Sequence, residues 1–91
     1  MGFEWDEAKN AANIAKHGID FADAVRIFDG PVVRRIDDRH DYGEQRIISF
    51  GEIAAMVIAA VVHTDRNGIT RLISARLASA RERKFYYDET L

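Results

Sequence analysis

The chain has 91 residues, 47% hydrophobic and 31% charged. That suffices for one modest core, leaves no room for a second domain, and is too apolar for a disordered segment. The absence of cysteine excludes a disulfide framework and a thiolate metal site and fits a reducing cytosol, and a net charge of only −2 means that any affinity for nucleic acid must come from a local cluster of cations.

The N-terminal segment MGFEWDEAKN carries charges where a signal peptide needs an apolar run. The apolar run 53–62 is about half of the ~20 residues a membrane helix needs. A cytoplasmic protein with no membrane partner is expected.

Phe3, Glu4 and Trp5 read as a short first strand. Asp6 caps a helix over residues 7–17, with Ala8, Ala11, Ala12 and Ala15 as a small apolar stripe, and Lys16, His17 and Gly18 stop it. Asp20 caps a second helix, whose Phe21, Ala24, Val25 and Phe28 recur at amphipathic spacing. The Asp29-Gly30-Pro31 breaker then opens a meander. Its expected parts are a strand over 32–36, a polar loop over 37–43, a strand over 45–50 and a tight turn at Gly51-Glu52. A central strand over 55–64 follows, apolar enough to be covered on both faces. Asn67-Gly68 closes a hairpin turn over 65–68, residues 69–76 form the last strand, and Ser79-x-x-Glu82 is a capping box that starts a C-terminal helix. The predicted fold is α+β: one domain over 1–91, two N-terminal helices, an antiparallel meander sheet and a C-terminal helix.

Residues 69–87 hold Arg71, Arg76, Arg81, Arg83 and Lys84 against one acid, Glu82. This basic element on an otherwise acidic chain suits phosphate binding or the docking of an acidic partner. Four pieces carry a resemblance: FEWDEAKNAANIAKHGIDFADA, GEQR at 43–46, VVHT at 61–64 and RLISARLASARERKFY at 71–86. In order and spacing they resemble the BrnT toxins of type II toxin–antitoxin modules, a family similar in fold to RelE-type ribonuclease toxins. The resemblance implies an RNA-cutting toxin. It also implies a cognate antitoxin that neutralises the toxin and binds operator DNA, so that the toxin itself meets DNA only indirectly.

Metal-free RNA cleavage needs a base for the 2′-hydroxyl, a proton donor for the leaving oxygen and cations for the charge building on phosphorus. Neither a His-x₃-His pair nor a carboxylate cluster at ligand spacing lies on one element; the nearest approach, Asp37, Asp38, His40 and Asp41, reads as a solvated loop. Metal and cofactor are therefore expected to be absent from the mechanism. Arg76 is the first candidate, sharing a strand face with Ser74, while Arg71 points the other way on a regular strand unless a bulge redirects it. Glu44 and Arg46 alternate on one face as a carboxylate base with a phosphate-binding arginine, or as a plain ion pair. His63 ends the central strand as an acid or base near neutrality, or as a satisfied structural residue. Arg83 and Tyr86 lie one turn apart, set to contact phosphate and a base, or to pack. Glu82 reads first as the cap and an arginine partner. Arg81 and Lys84 complete the basic run. Trp5, Lys9 and Lys16 match the family's front segment, with Trp5 equally readable as core.

Three functions fit these residues: a ribonuclease toxin held by an antitoxin across its basic groove, a non-catalytic module that docks an acidic protein, and a direct nucleic-acid-binding regulator.

Overall fold

The computed structural model describes residues 2–91. The elements run β1 (Gly2–Glu4), α1 (Glu7–His17), α2 (Phe21–Ala24) continued by a 3₁₀ segment (Val25–Asp29), β2 (Val33–Asp37), β3 (Arg46–Ala54), β4 (Val57–Arg66), β5 (Ile69–Leu77) and α3 (Ala80–Thr90). The strands form one sheet in the order β1-β5-β4-β3-β2. The expected antiparallel meander is correct for β2 to β5, but β1 pairs parallel to β5, so the sheet is mixed. α1 is the crossover that makes this parallel pairing reachable, since it carries the chain away from β1 before the meander begins.

Caps and turns form as the residues dictate. Asp6 accepts the N–H of Lys9, Asp20 that of Ala22, and Gly18 ends α1 in the left-handed region. Asn67 and Gly68 both have positive φ, the geometry of a type I′ hairpin between Arg66 and Ile69. The other hairpin corrects the expected turn at Gly51-Glu52, because β3 continues to Ala54 and the chain reverses at Ala55-Met56, with Met56 at φ 62°. Gly51 is a strand residue for a packing reason. A Cβ there would lie 2.8 Å from Ile27 Cβ, so the glycine lets the 3₁₀ segment sit directly on the sheet.

β4 is the centre, and every residue from Ile58 to Thr64 is buried. One face packs under α2 and the 3₁₀ segment through Phe21, Ala24, Ile27, Val61 and Leu72. Tightening from α to 3₁₀ geometry brings Phe21, Ala24 and Ile27 into line at a spacing of three, and all three are fully buried. The opposite face packs under α3 through Phe50, Ile58, Ala60 and Tyr86.

The alanine stripe expected to bury α1 is exposed; the buried residues of that helix are Asn10 and Asn13. β1 covers the outer edge of β5 only from Ile69 to Arg71, so the backbone beyond needs other partners. Asn13 supplies them. Its Oδ1 accepts the N–H of Ala75 at 3.0 Å, and its Nδ2 donates to the carbonyls of Ala75 at 2.9 Å and Ile19 at 2.8 Å. The side-chain amide thus does the work of a neighbouring strand. Asn10 likewise accepts the N–H of Phe21 and donates to Asp20. Replacing Asn13 by Ala leaves a buried N–H and carbonyl of Ala75 unpaired, which should cost about 2–4 kcal/mol; urea unfolding of the Asn13→Ala protein, beside Ala12→Ser as an exposed control on the same helix, measures it.

Candidate functional site

Cross-strand partners share a face of a sheet. Ala60, Val62 and Thr64 of β4 pair with Arg76, Ser74 and Arg71 of β5, while Val61 pairs with Ala75 and His63 with Leu72. The register shifts between Val62 and His63, where β5 carries one extra residue, Ile73. That bulge settles the two arginines: Arg71 and Arg76, five residues apart, both lie on the α3 face. β3 adds Arg46, and β2 adds Arg35 and Asp37. α3 packs over one end of this face, and Arg35 and Arg71 remain about half exposed.

The charges on this face fall into two groups that differ in tightness. In the first, Arg76 forks onto Glu82 at 2.6 and 2.9 Å, and Arg35 stands 3.7 Å from the same carboxylate. Glu82 Oε1 also accepts the N–H of Ser79, whose hydroxyl accepts the N–H of Glu82, completing the capping box. The Arg76 hydrogen bonds, aided by Ser79 and opposed by burial, hold the Glu82 carboxyl down at about 2. Beside them Arg39 forks onto the buried Asp37 at 2.7 and 2.9 Å and holds its carboxyl low. The loop expected to be solvated is therefore pinned at its start.

The second group lines a recess of about 260 Å³ at the other end of β4 and β5. Lys9, Arg46, Arg66 and Arg71 surround it with Glu4 and Glu44, over a floor that includes Thr64 and Ile73. Here the ion pairs are loose. Glu44 lies 3.9 Å from Arg46 and 3.8 Å from Arg66, and Glu4 lies 3.7 Å from Arg71. These exceed hydrogen-bond length, so the guanidinium donors stay available to a ligand. The Arg46 guanidinium lies 3.8 Å over the Tyr42 ring, and its buried Nε has no hydrogen-bond partner among the described residues. Among the expected residues, Lys9, Glu44, Arg46 and Arg71 converge here.

The others lie elsewhere. His63 is 1% exposed on the α2 face, with Nε2 2.7 Å from Ser49 Oγ and Nδ1 2.8 Å from Asp65, which Arg34 also binds. Burial pushes its pKa down. Trp5 packs against Phe21 and donates its ring N–H to Glu7. Tyr86 is buried and donates to the carbonyl of Pro31. Arg83 donates to the carbonyl of Ala78 near the Met56 turn, Lys84 pairs with Asp88 on the outer face of α3, and Arg81 is exposed in the first turn of that helix. Ser74 adjoins Lys16 in a second recess beside α1. Sequence reading missed Glu4, Arg35, Arg39 and Arg66; strand pairing brings Glu4, Arg35 and Arg66 to this face, and the fork onto Asp37 brings Arg39.

A family model described as the ribonuclease toxin BrnT of type II toxin–antitoxin systems matches residues 5–82. The chain belongs to the BrnT family. As a BrnT protein it is a ribonuclease toxin of a type II module. A solved structure, described as the Brucella abortus ribonuclease toxin BrnT at 1.1 Å resolution, is 33% identical and superposes with a TM-score of 0.66 over 87% of this chain and 97% of that one. No curated protein sequence matches. Among the described residues of this BrnT chain no helix is long and apolar enough to cross a membrane.

Acid stability should report the paired groups. Glu82 is depressed from 4.5 to about 2, so its contribution is complete above pH 4.5 and is lost as pH falls towards 2. His63 is depressed below 6.5, so its buried neutral ring starts to oppose folding as pH falls below that value. Urea midpoints measured from pH 7.5 to 3 should decline first below about 6.5 and more steeply below about 4.5. Glu82→Gln should cost about 2 kcal/mol at pH 7 and flatten the second decline.

Proposed function

We propose that the recess between β3, β4, β5 and α1 is where this toxin holds and cuts RNA, without a metal. The observation that carries this reading is the set of underused donors: cations from α1, β3, β4 and β5 converge on one cavity, and their carboxylate partners stand too far off to occupy them. A phosphate entering the recess replaces loose ion pairs with charge-assisted hydrogen bonds, for which the guanidinium fork is well shaped.

In the reaction this site supports, Glu44 takes the proton from the RNA 2′-hydroxyl, and that oxygen attacks the adjacent phosphorus. The P–O2′ bond forms and the P–O5′ bond breaks, giving a 2′,3′-cyclic phosphate and a free 5′-hydroxyl. Arg46 and Arg71 stabilise the extra negative charge on the phosphoryl oxygens. Lys9, on the rim, returns a proton to the leaving oxygen. Tyr42 fixes the plane of the Arg46 guanidinium by stacking on it. Arg76, Arg35 and Glu82 anchor α3 and so hold one wall of the open face. His63, buried on the other face, has no place in this scheme, and neither does Arg83.

The same open face is where a cognate antitoxin neutralises the toxin, with a helix or strand laid against residues 71–86 and acidic groups facing the arginines. Operator DNA is met through the antitoxin, the site of action is the cytoplasm, and kinship with RelE-type toxins belongs with this reading.

Purified Arg46→Ala and Arg71→Ala proteins should each cut labelled RNA roughly 10²-fold or more slowly than the parent chain, and Glu44→Gln should abolish cleavage while keeping RNA affinity. Arg76→Ala should instead lower the urea midpoint. Wild-type cleavage by folded Arg46→Ala and Arg71→Ala proteins would sink the assignment.

A further inference from the structure

A second recess, of about 300 Å³, lies between α1 and β5. Lys9 and Ile73 line both cavities, so the two adjoin. The second differs in chemistry. Ala12, Ile73 and Ser74 form a largely uncharged floor, and Lys16 and His17 stand along the rim. Among the described residues no carboxylate lines it, in contrast to Glu4 and Glu44 in the first. An anionic ligand therefore meets cations without competition from acids.

Its existence follows from the fold. β1 stops pairing at Arg71, so among the described residues no strand flanks that edge of β5 beyond this point. α1 fills the gap only where Asn13 reaches Ala75, and the bulge at Ile73 turns the neighbouring side chains outward beneath the exposed Ala12.

We infer that this second recess is a subsite for the nucleotide next to the scissile phosphate, so that the substrate is single-stranded RNA running from the first recess along α1. The inference rests on the proposed cleavage site and extends it. Its apolar floor takes a base, which a duplex would keep stacked and out of reach. Lys16, with His17 beside it, takes the next phosphate. Each cavity lies near the ~300 Å³ lower end of ligand-sized sites, which suits one nucleotide apiece.

The test compares a dinucleotide with a pentanucleotide of the same central sequence, using the full chain. Affinity is read with uncleavable 2′-O-methyl versions and cleavage with the ribose forms. The pentanucleotide should bind about tenfold tighter, and Lys16→Ala should remove most of that advantage while leaving the dinucleotide unaffected. Loss of one phosphate contact should also reduce the salt dependence of pentanucleotide binding by about 0.7 in log–log slope. Ala12→Glu, a helix-compatible change that places a carboxylate over the floor, should weaken both lengths, because the base beside the scissile phosphate is present in each.

Equal affinity for the two lengths overturns the track. So does a Lys16→Ala effect of the same size on both, or binding of an acidic peptide where neither oligonucleotide binds. Length-dependent binding without cleavage would keep the track and overturn the catalytic reading, so the two fail separately.

Discussion

The extra residue at Ile73 is the constraint on which the open face depends. A regular β5 would send Arg71 and Arg76 to opposite faces, one of them into the core beneath α2. The bulge instead lets Leu72 and Ala75 serve that core while both arginines emerge on the other side. A bulge leaves backbone groups without ladder partners, and here it sits just where β1 ceases to protect the edge. Asn13 covers the next stretch of that edge, past the bulge, by bonding both polar groups of Ala75. Helix α1, the bulge and the arginines are thus one arrangement.

Distance separates arginines locked in pairs from arginines whose donors stay open. Pairs at 2.6–2.9 Å, Arg76 with Glu82 and Arg39 with Asp37, form two-pronged hydrogen bonds and fix α3 and the start of the 38–45 loop. Pairs at 3.7–3.9 Å around the first recess leave donors free while keeping the free protein's charges from repelling one another. A chain with net charge −2 thus gathers its cations locally: carboxylates elsewhere set the total, and cation density is concentrated where the strands converge. The Ser49–His63–Asp65 array has distances suited to proton relay, yet Ser49 and His63 are 0% and 1% exposed, so it works as a buried polar clasp between β3 and β4.

The sequence by itself determined the local events. Caps at Asp6, Asp20 and Ser79, the Asn67-Gly68 turn, the buried central strand and the order of elements all rest on interactions within a few residues, and the motifs at 3–24, 43–46, 61–64 and 71–86 pointed to the family. Lys9, Glu44, Arg46 and Arg71 were also legible as candidates from those segments. Tertiary structure decided what depends on partners distant in the chain. It made β1 parallel, turned Gly51 from a turn residue into a strand residue because Ile27 packs against it, and buried Asn10 and Asn13 in place of the alanines because a bare strand edge needs hydrogen bonds more than apolar cover. It also tied Arg76 to Glu82 and brought Glu4 and Arg66 to the recess, since register and a single bulge set which side chains share a face, and no local pattern encodes either.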